Sequence, residues 1–240
     1  MSLYLPRSTN LANALYHGAD TTRIIQYCLN SLSAFADHET QFQAAISGAG
    51  LKPPSAFPLT TRYNAACDRL KDFYDPEVLR DLSAQPPPTN TLGSATLFCD
   101  PKPANFIRPK SDNNPGIYRV DLDLMAFSAP LSLQAAIACF SVPSEPRAKS
   151  RQETFASRLR QWKAWCAAHA TGPEGERFTL LLYHLVRNLA SSLDQRNVRK
   201  AQAMADMLAQ LIELEPYFHN LKLFQQSLLT KSSVHLMGIN

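Results

Sequence analysis

The chain lacks any apolar run approaching the roughly 18 consecutive residues of a membrane-spanning helix. Its N-terminus also lacks a basic stretch leading into an apolar secretion segment. These absences predict a cytoplasmic protein with no membrane partner. Five cysteines (Cys28, Cys67, Cys99, Cys139, Cys166) include no close pair, and their number is odd. Zinc knuckles and disulfide frameworks need tighter, repeated spacing, so reduced core thiols are predicted. The six histidines (His17, His38, His169, His184, His219, His235) are equally scattered, with no pair at zinc-ligand spacing. Internal repeats and low-complexity tracts are missing too, and so is any stripe of one charge. A net charge of +4 is spread over the whole length. Such a balance fits nucleotide, phosphate or nucleic acid equally, and selects none of them.

What is present is an ordinary globular composition, 240 residues with 45% hydrophobic and 18% charged side chains. That length supports one sizeable core, or two small ones sharing an interface. A helical stripe runs from the cap Asp20 through Ile25, Cys28, Leu29, Leu32, Phe35 and Ala36 and is expected to end at Lys52-Pro53-Pro54. A second helix is expected from Thr60 or Thr61 to Leu70, and a third opens at Asp75-Pro76-Glu77 and stops before Pro86-Pro87-Pro88.

Beyond the prolines the character changes. Three short β candidates follow, at residues 95–99, 105–107 and 117–121. The turn formers Ser111-Asp112-Asn113-Asn114-Pro115-Gly116 predict a hairpin between the last two. From about Leu131 the pattern is helical again. Three amphipathic stripes run through Phe155 to His169, Phe178 to Leu189, and Val198 to Leu214, separated by Thr171-Gly172-Pro173 and by Asp194. The predicted class is α+β, mostly helical, with one domain in three parts: 1–90, 91–130 and 131–240.

The polar residues of the β region, Asp100, Lys102, Asn105, Asp121 and Asp123, fall at strand ends, where side chains are held well. Phosphoryl transfer asks for a carboxylate to orient the acceptor hydroxyl and hard oxygen ligands for magnesium, and these residues supply both. A bland alternative is a polar turn in which Asp100 and Asn105 cap backbone groups. Cys99 beside Asp100 reads as a buried strand thiol. Arg187, Arg196, Arg199 and Lys200 read as a solvated helix face near Asp194 and Asp206.

The run Asp100-Pro101-Lys102-Pro103-Ala104-Asn105 resembles the catalytic loop of the protein-kinase-like superfamily, of the aminoglycoside and choline phosphotransferase type. There an Asp is followed five positions later by Asn, and a second acid follows a hairpin. Residues Leu3-Tyr4-Leu5-Pro6 and Leu11 to Leu15 look like the hinge segment of such enzymes, and the resemblance spans roughly residues 1–140. It implies a kinase-like C-terminal lobe with a β-hairpin insert carrying the catalytic loop. By the same resemblance Asp100 would be the base and Lys102 a phosphate or acceptor contact. Asn105 and Asp121 would bind the cofactor through magnesium, with Asp123 as a further acid. ATP and Mg2+ are the implied cofactors, and a small-molecule hydroxyl acceptor or a protein the implied partner, with no nucleic acid.

The chain departs from that pattern in three places. Phe98-Cys99 stands where the family has His-Gly or His-Arg, and Ser132-Leu133 stands where Tyr-Asp often braces the loop. The small lobe's glycine-rich loop and lysine have no counterpart, which implies a partner supplying that lobe, a fragment of an enzyme, or a truncated, non-catalytic interaction module.

Overall fold

The computed structural model describes residues 8–12, 20–50, 52–86, 88–89, 95–109, 118–119, 127–141 and 151–234. Helix dominates, with short strands gathered in two small sheets. The chain divides into two compact units, each built from two stretches of sequence. One comprises Met1–Phe57 and Ser94–Thr171, the other Pro58–Gly93 and Gly172–Asn240.

In the first unit, strand β1 (Ser8–Asn10) leads to α1 (Thr21–Asp37) and α2 (Glu39–Gly48). Asp20 caps α1 as its sequence position predicts, its Oδ1 accepting from the Thr22 and Arg23 amides at 2.9 and 3.4 Å. The stripe Ile24, Ile25, Cys28, Leu29 and Leu32 is buried. The helix does not run on to the prolines. It breaks at His38, whose amide turns back to the carbonyls of Phe35 and Ala36 while its ring Nδ1 lies 2.8 Å from the Ala34 carbonyl. A new helix starts at once with Glu39 in its first turn.

Next come β2 (Ser55–Ala56), β3 (Ala95–Leu97), β4 (Phe106–Pro109), β5 (Tyr118–Arg119) and β6 (Phe127–Pro130). β4 lies between β1 and β5, antiparallel to both. The β4 to β5 pairing, with Phe106 opposite Arg119, is the arrangement the turn-rich sequence called for. The turn itself lies outside the described residues. In the other sheet β6 is central, parallel to β2 and antiparallel to β3, with Thr96 opposite Ala129. Phe57 N–H and Phe98 N–H extend this ladder to the carbonyls of Ser128 and Phe127, both at 2.8 Å.

β6 passes directly into α5 (Leu131–Phe140), whose ten residues are all buried. A helix buried on every side lies inside a core, and its two polar side chains, Ser132 and Gln134, are buried with it. It packs on α1 and on α6 (Arg151–His169). Trp162 in α6 is buried and donates its indole N–H to the Ser132 carbonyl at 3.1 Å.

The second unit is all helix among its described residues. α3 (Leu59–Leu70) buries Leu59, Tyr63, Ala66, Cys67 and Leu70, a single face at helical spacing. α4 (Pro76–Ser83) has proline in its first turn and buries Leu79 and Leu82. α7 (Glu174–Asp194), α8 (Val198–Leu214) and α9 (Lys222–Val234) complete the unit. α3 packs on α7, α7 on α8, α8 on α9, and α4 on α9. The third C-terminal stripe is therefore not the end of the helical packing. A 3-10 segment at Pro216–Leu221 and then α9 follow it. Gly172, at a φ of 94°, makes the left-handed turn into α7 that a side chain would oppose.

Candidate functional site

Leu97 ends β3, and three residues later the backbone turns sharply at Asp100. Its φ of 40° is left-handed, a region that Asp enters more readily than most residues. Holding a non-glycine residue there costs on the order of 1–3 kcal/mol, so neighbouring bonds must fix it. Those bonds are present. Lys102 N–H donates to the Asp100 carbonyl at 2.8 Å, and Asn105 N–H to the Lys102 carbonyl at 2.9 Å, closing a 3-10 turn at Pro103–Asn105. Proline at 101 and 103 limits the remaining freedom of the loop.

This turn brings Asp100, Lys102 and Asn105 together. Lys102 Nζ sits 2.6 Å from Asp100 Oδ2, and Asn105 Nδ2 donates to the same Oδ2 at 3.1 Å and to the Asp100 carbonyl at 3.0 Å. Both partners of Nδ2 are pure acceptors, so the amide can face them only with its nitrogen. Asp100 and Asn105 are buried, and Lys102 is half-buried. No described residue donates to Asp100 Oδ1 or to Asn105 Oδ1. The loop thus grips one carboxylate oxygen twice and leaves the second for another donor. It also leaves an amide oxygen that suits a hard cation.

The loop is supported from α5 by a residue that sequence reading passed over. Gln134 is fully buried, and its Oε1 accepts from the Cys99 N–H at 2.9 Å and the Cys99 thiol at 3.1 Å. Its Nε2 donates to Thr96 Oγ1 at 3.0 Å, to the Leu97 carbonyl at 3.2 Å and to the Ala129 carbonyl at 3.3 Å. Cys99 is buried as expected. Glu39, at the start of α2, accepts the Leu97 N–H through both carboxylate oxygens, at 3.3 and 3.2 Å. Phe106, the first residue of β4, carries the Tyr27 ring edge-on at 5.6 Å, which seats the far end of the loop on α1.

Asp121 and Asp123 lie outside the described residues, as do most of the hinge-like residues near the N-terminus. Among the described residues no group of three or more His, Cys, Asp and Glu side chains is arranged to hold a metal. Asn105 Oδ1 is therefore the one described oxygen of the expected magnesium set.

In the second unit, Arg196, Arg199 and Lys200 are exposed, and Asp194 pairs with Arg69 at 3.3 Å. That is the solvated face expected there, except that Arg187 is half-buried. His184 is different. It is buried in α7, and burial, helped by the nearby charges of Arg187 and Lys200, pulls its pKa down to about 3. Asn188 Nδ2 donates to the His184 carbonyl at 2.8 Å. Burial likewise pushes the Cys67 thiol up to about 11, which makes it an inert core thiol.

No helix among the described residues is long and apolar enough to cross a membrane. No family model, curated protein or solved structure matches the chain. The kinase-like resemblance therefore rests on its own residues, chiefly those of the Asp100 loop.

Proposed function

We propose that this protein is a phosphotransferase of the kinase-like type, transferring a phosphoryl group from ATP to a hydroxyl acceptor with magnesium. The observation that carries the reading is the asymmetry of Asp100. Its Oδ2 is fixed by Lys102 and Asn105, and no described residue donates to its Oδ1. An acceptor hydroxyl placed against Oδ1 would be oriented by the fixed carboxylate and would lose its proton to it as its oxygen bonds to the γ-phosphorus, while the bond from that phosphorus to the bridging oxygen breaks and ADP leaves. Lys102 holds Asp100 Oδ2 in place at 2.6 Å and would bring positive charge beside the transferred group. Asn105 offers Oδ1 to the cation, with Asp121 and Asp123 as the further acids that the resemblance assigns. Bound Mg2+ and ATP would supply the phosphoryl donor and the neutralisation of its charge.

The full chain, incubated with γ-labelled ATP, Mg2+ and a panel of aminoglycosides, choline, sugars and a generic protein, is expected to label one acceptor class. Asp100→Ala should abolish the labelling. Labelling that persists in that variant would remove Asp100 from the role of base.

A second reading drops the chemistry: a kinase-like interaction module that binds a partner. The 2.6 Å Lys102 to Asp100 ion pair favours it, since a neutralised acid is also what a purely structural turn would carry. Thermal stabilisation by Mg-ATP separates the two, because a ligand that binds only the native state raises apparent stability. No shift at millimolar nucleotide would favour the module.

A further inference from the structure

We infer that Gln134 is a positioning residue for Asp100, so that α5 sets the geometry of the loop. The inference rests on the phosphotransfer reading for its functional consequence, and on hydrogen-bond geometry for its structural part. β3 and β6 are joined by their own backbone ladder, and its last described bond runs from Phe98 N–H to the Phe127 carbonyl. Beyond Phe98 the chain leaves that ladder. The next amide, Cys99 N–H, is received by Gln134 Oε1 at 2.9 Å, one residue before the left-handed turn at Asp100.

The orientation of the Gln134 amide is dictated by its surroundings. Oε1 faces a backbone N–H and a thiol, while Nε2 faces two carbonyls and a hydroxyl. A flipped amide would set donor against donor and acceptor against acceptor. One neutral side chain therefore ties the end of β3, the end of β6 and the residue preceding Asp100 into one unit. Its burial makes each of those bonds costly to break. A purely structural amide would hold the sheet. This one also fixes the Phe98–Cys99 peptide plane and the Cys99 thiol, so the residue from which the chain turns into Asp100 is held in place.

The test uses two variants of the full chain. Gln134→Met keeps the volume and removes every hydrogen bond. Gln134→Glu keeps an acceptor for Cys99 N–H but turns an ionised oxygen toward the Leu97 and Ala129 carbonyls until it is protonated. In Gln134→Met, amide exchange at Cys99 and Lys102 should accelerate roughly tenfold or more relative to amides of α6 and α7. Turnover should fall on the order of 10²-fold with KM for Mg-ATP nearly unchanged, as displacement of a reacting group predicts. Gln134→Glu should regain turnover as pH is lowered from about 8 to about 6, because a buried carboxyl takes up a proton well above its usual range and becomes a donor again.

Exchange and turnover like wild type in Gln134→Met, or a turnover of Gln134→Glu that shows no recovery at lower pH, would overturn the inference. Should Gln134→Met fail to fold, the pH profile of Gln134→Glu decides. Should wild type turn over no acceptor, the phosphotransfer reading fails. Selective opening of Cys99 and Lys102 in either folded variant would then still establish Gln134 as the residue that positions Asp100.

Discussion

Asp100 and Asn105 are close enough in sequence for their relation to be visible there, and the loop geometry joins them through two bonds from one amide. Asp100→Asn keeps the shape of the carboxylate and removes its basicity and its ion pair with Lys102. Turnover is expected to drop by about 10²–10⁴-fold, the usual range for a lost general base. The melting temperature should change little by comparison, because Lys102 is partly solvated and such pairs contribute little to stability. Gln134 shows why other parts of the site escape a sequence reading. Its partners Thr96, Leu97 and Cys99 lie more than thirty positions away, and a glutamine in an apolar stretch carries no sign of being buried.

His184 gives a second prediction at this scale, and its sign follows from burial. Unfolded, the ring takes a proton near its ordinary pKa of 6.5. Folded, it stays neutral until about pH 3. Between those values the unfolded state binds the extra proton, so stability is fully present above about 6.5 and declines as pH falls toward about 3. One such group contributes a slope of about 1.4 kcal/mol per pH unit across that window. Replacing the ring by an apolar side chain, His184→Leu, should remove that slope. Urea midpoints measured at about pH 7.5 and about pH 5 should then lie closer together in the variant than in wild type. Equal pH dependence in the two proteins would mean that the ring is not held neutral by the fold.

Among the elements, α5 is the most constrained. Ala135, Ala136 and Ala138 have no exposed surface, and Phe140 packs against Phe155 of α6 at 5.4 Å. Ala138→Leu adds volume where no surface is exposed. It is expected to destabilise by about 1–3 kcal/mol, the usual range for overpacking, read as a lowered urea midpoint. A midpoint equal to wild type would mean that the helix has room its burial does not suggest.

Elements whose signals are local were legible in the sequence: the Asp20 cap, the helix ending at Leu70, the proline-opened α4, the periodic stripe of α7, and the β4 to β5 pairing. Elements that depend on distant partners were not. β2 is two residues long and exists only because β6 lies parallel beside it, from a part of the chain some seventy positions later. The break at His38 escaped for another reason. Neither proline nor glycine marks it, and the apolar stripe of α1 simply gives way to α2, which has no buried residue at all. Of the candidate site, the turn from Asp100 to Asn105 was legible because it closes on itself, while its brace in α5 was not.

At the scale of the molecule, both compact units are discontinuous, and the second is completed only when its final helices are present. Its early stretch supplies α3 and α4, whose apolar faces pack on α7 and α9. Tyr63, buried on α3, meets Tyr183 of α7 with ring centroids 6.4 Å apart, and Tyr74 meets Phe224 of α9 at 5.7 Å. A fragment ending at Thr171 would retain both stretches of the first unit and leave α3 and α4 without those partners. The cysteines report on the two units separately, since Cys28, Cys99, Cys139 and Cys166 are buried in the first and Cys67 in the second. In the intact native chain all five should resist a thiol reagent, because burial keeps them from the reagent and, for Cys67 and Cys139, also disfavours the thiolate. In the fragment, Cys67 should become reactive while Cys28, Cys139 and Cys166 stay protected, and the exposed faces of α3 and α4 should promote self-association. Mass spectrometry of the labelled peptides assigns each thiol. Protection of Cys67 in the fragment would show that α3 is held without α7, and reaction of all five would show that the first unit needs the second in order to fold.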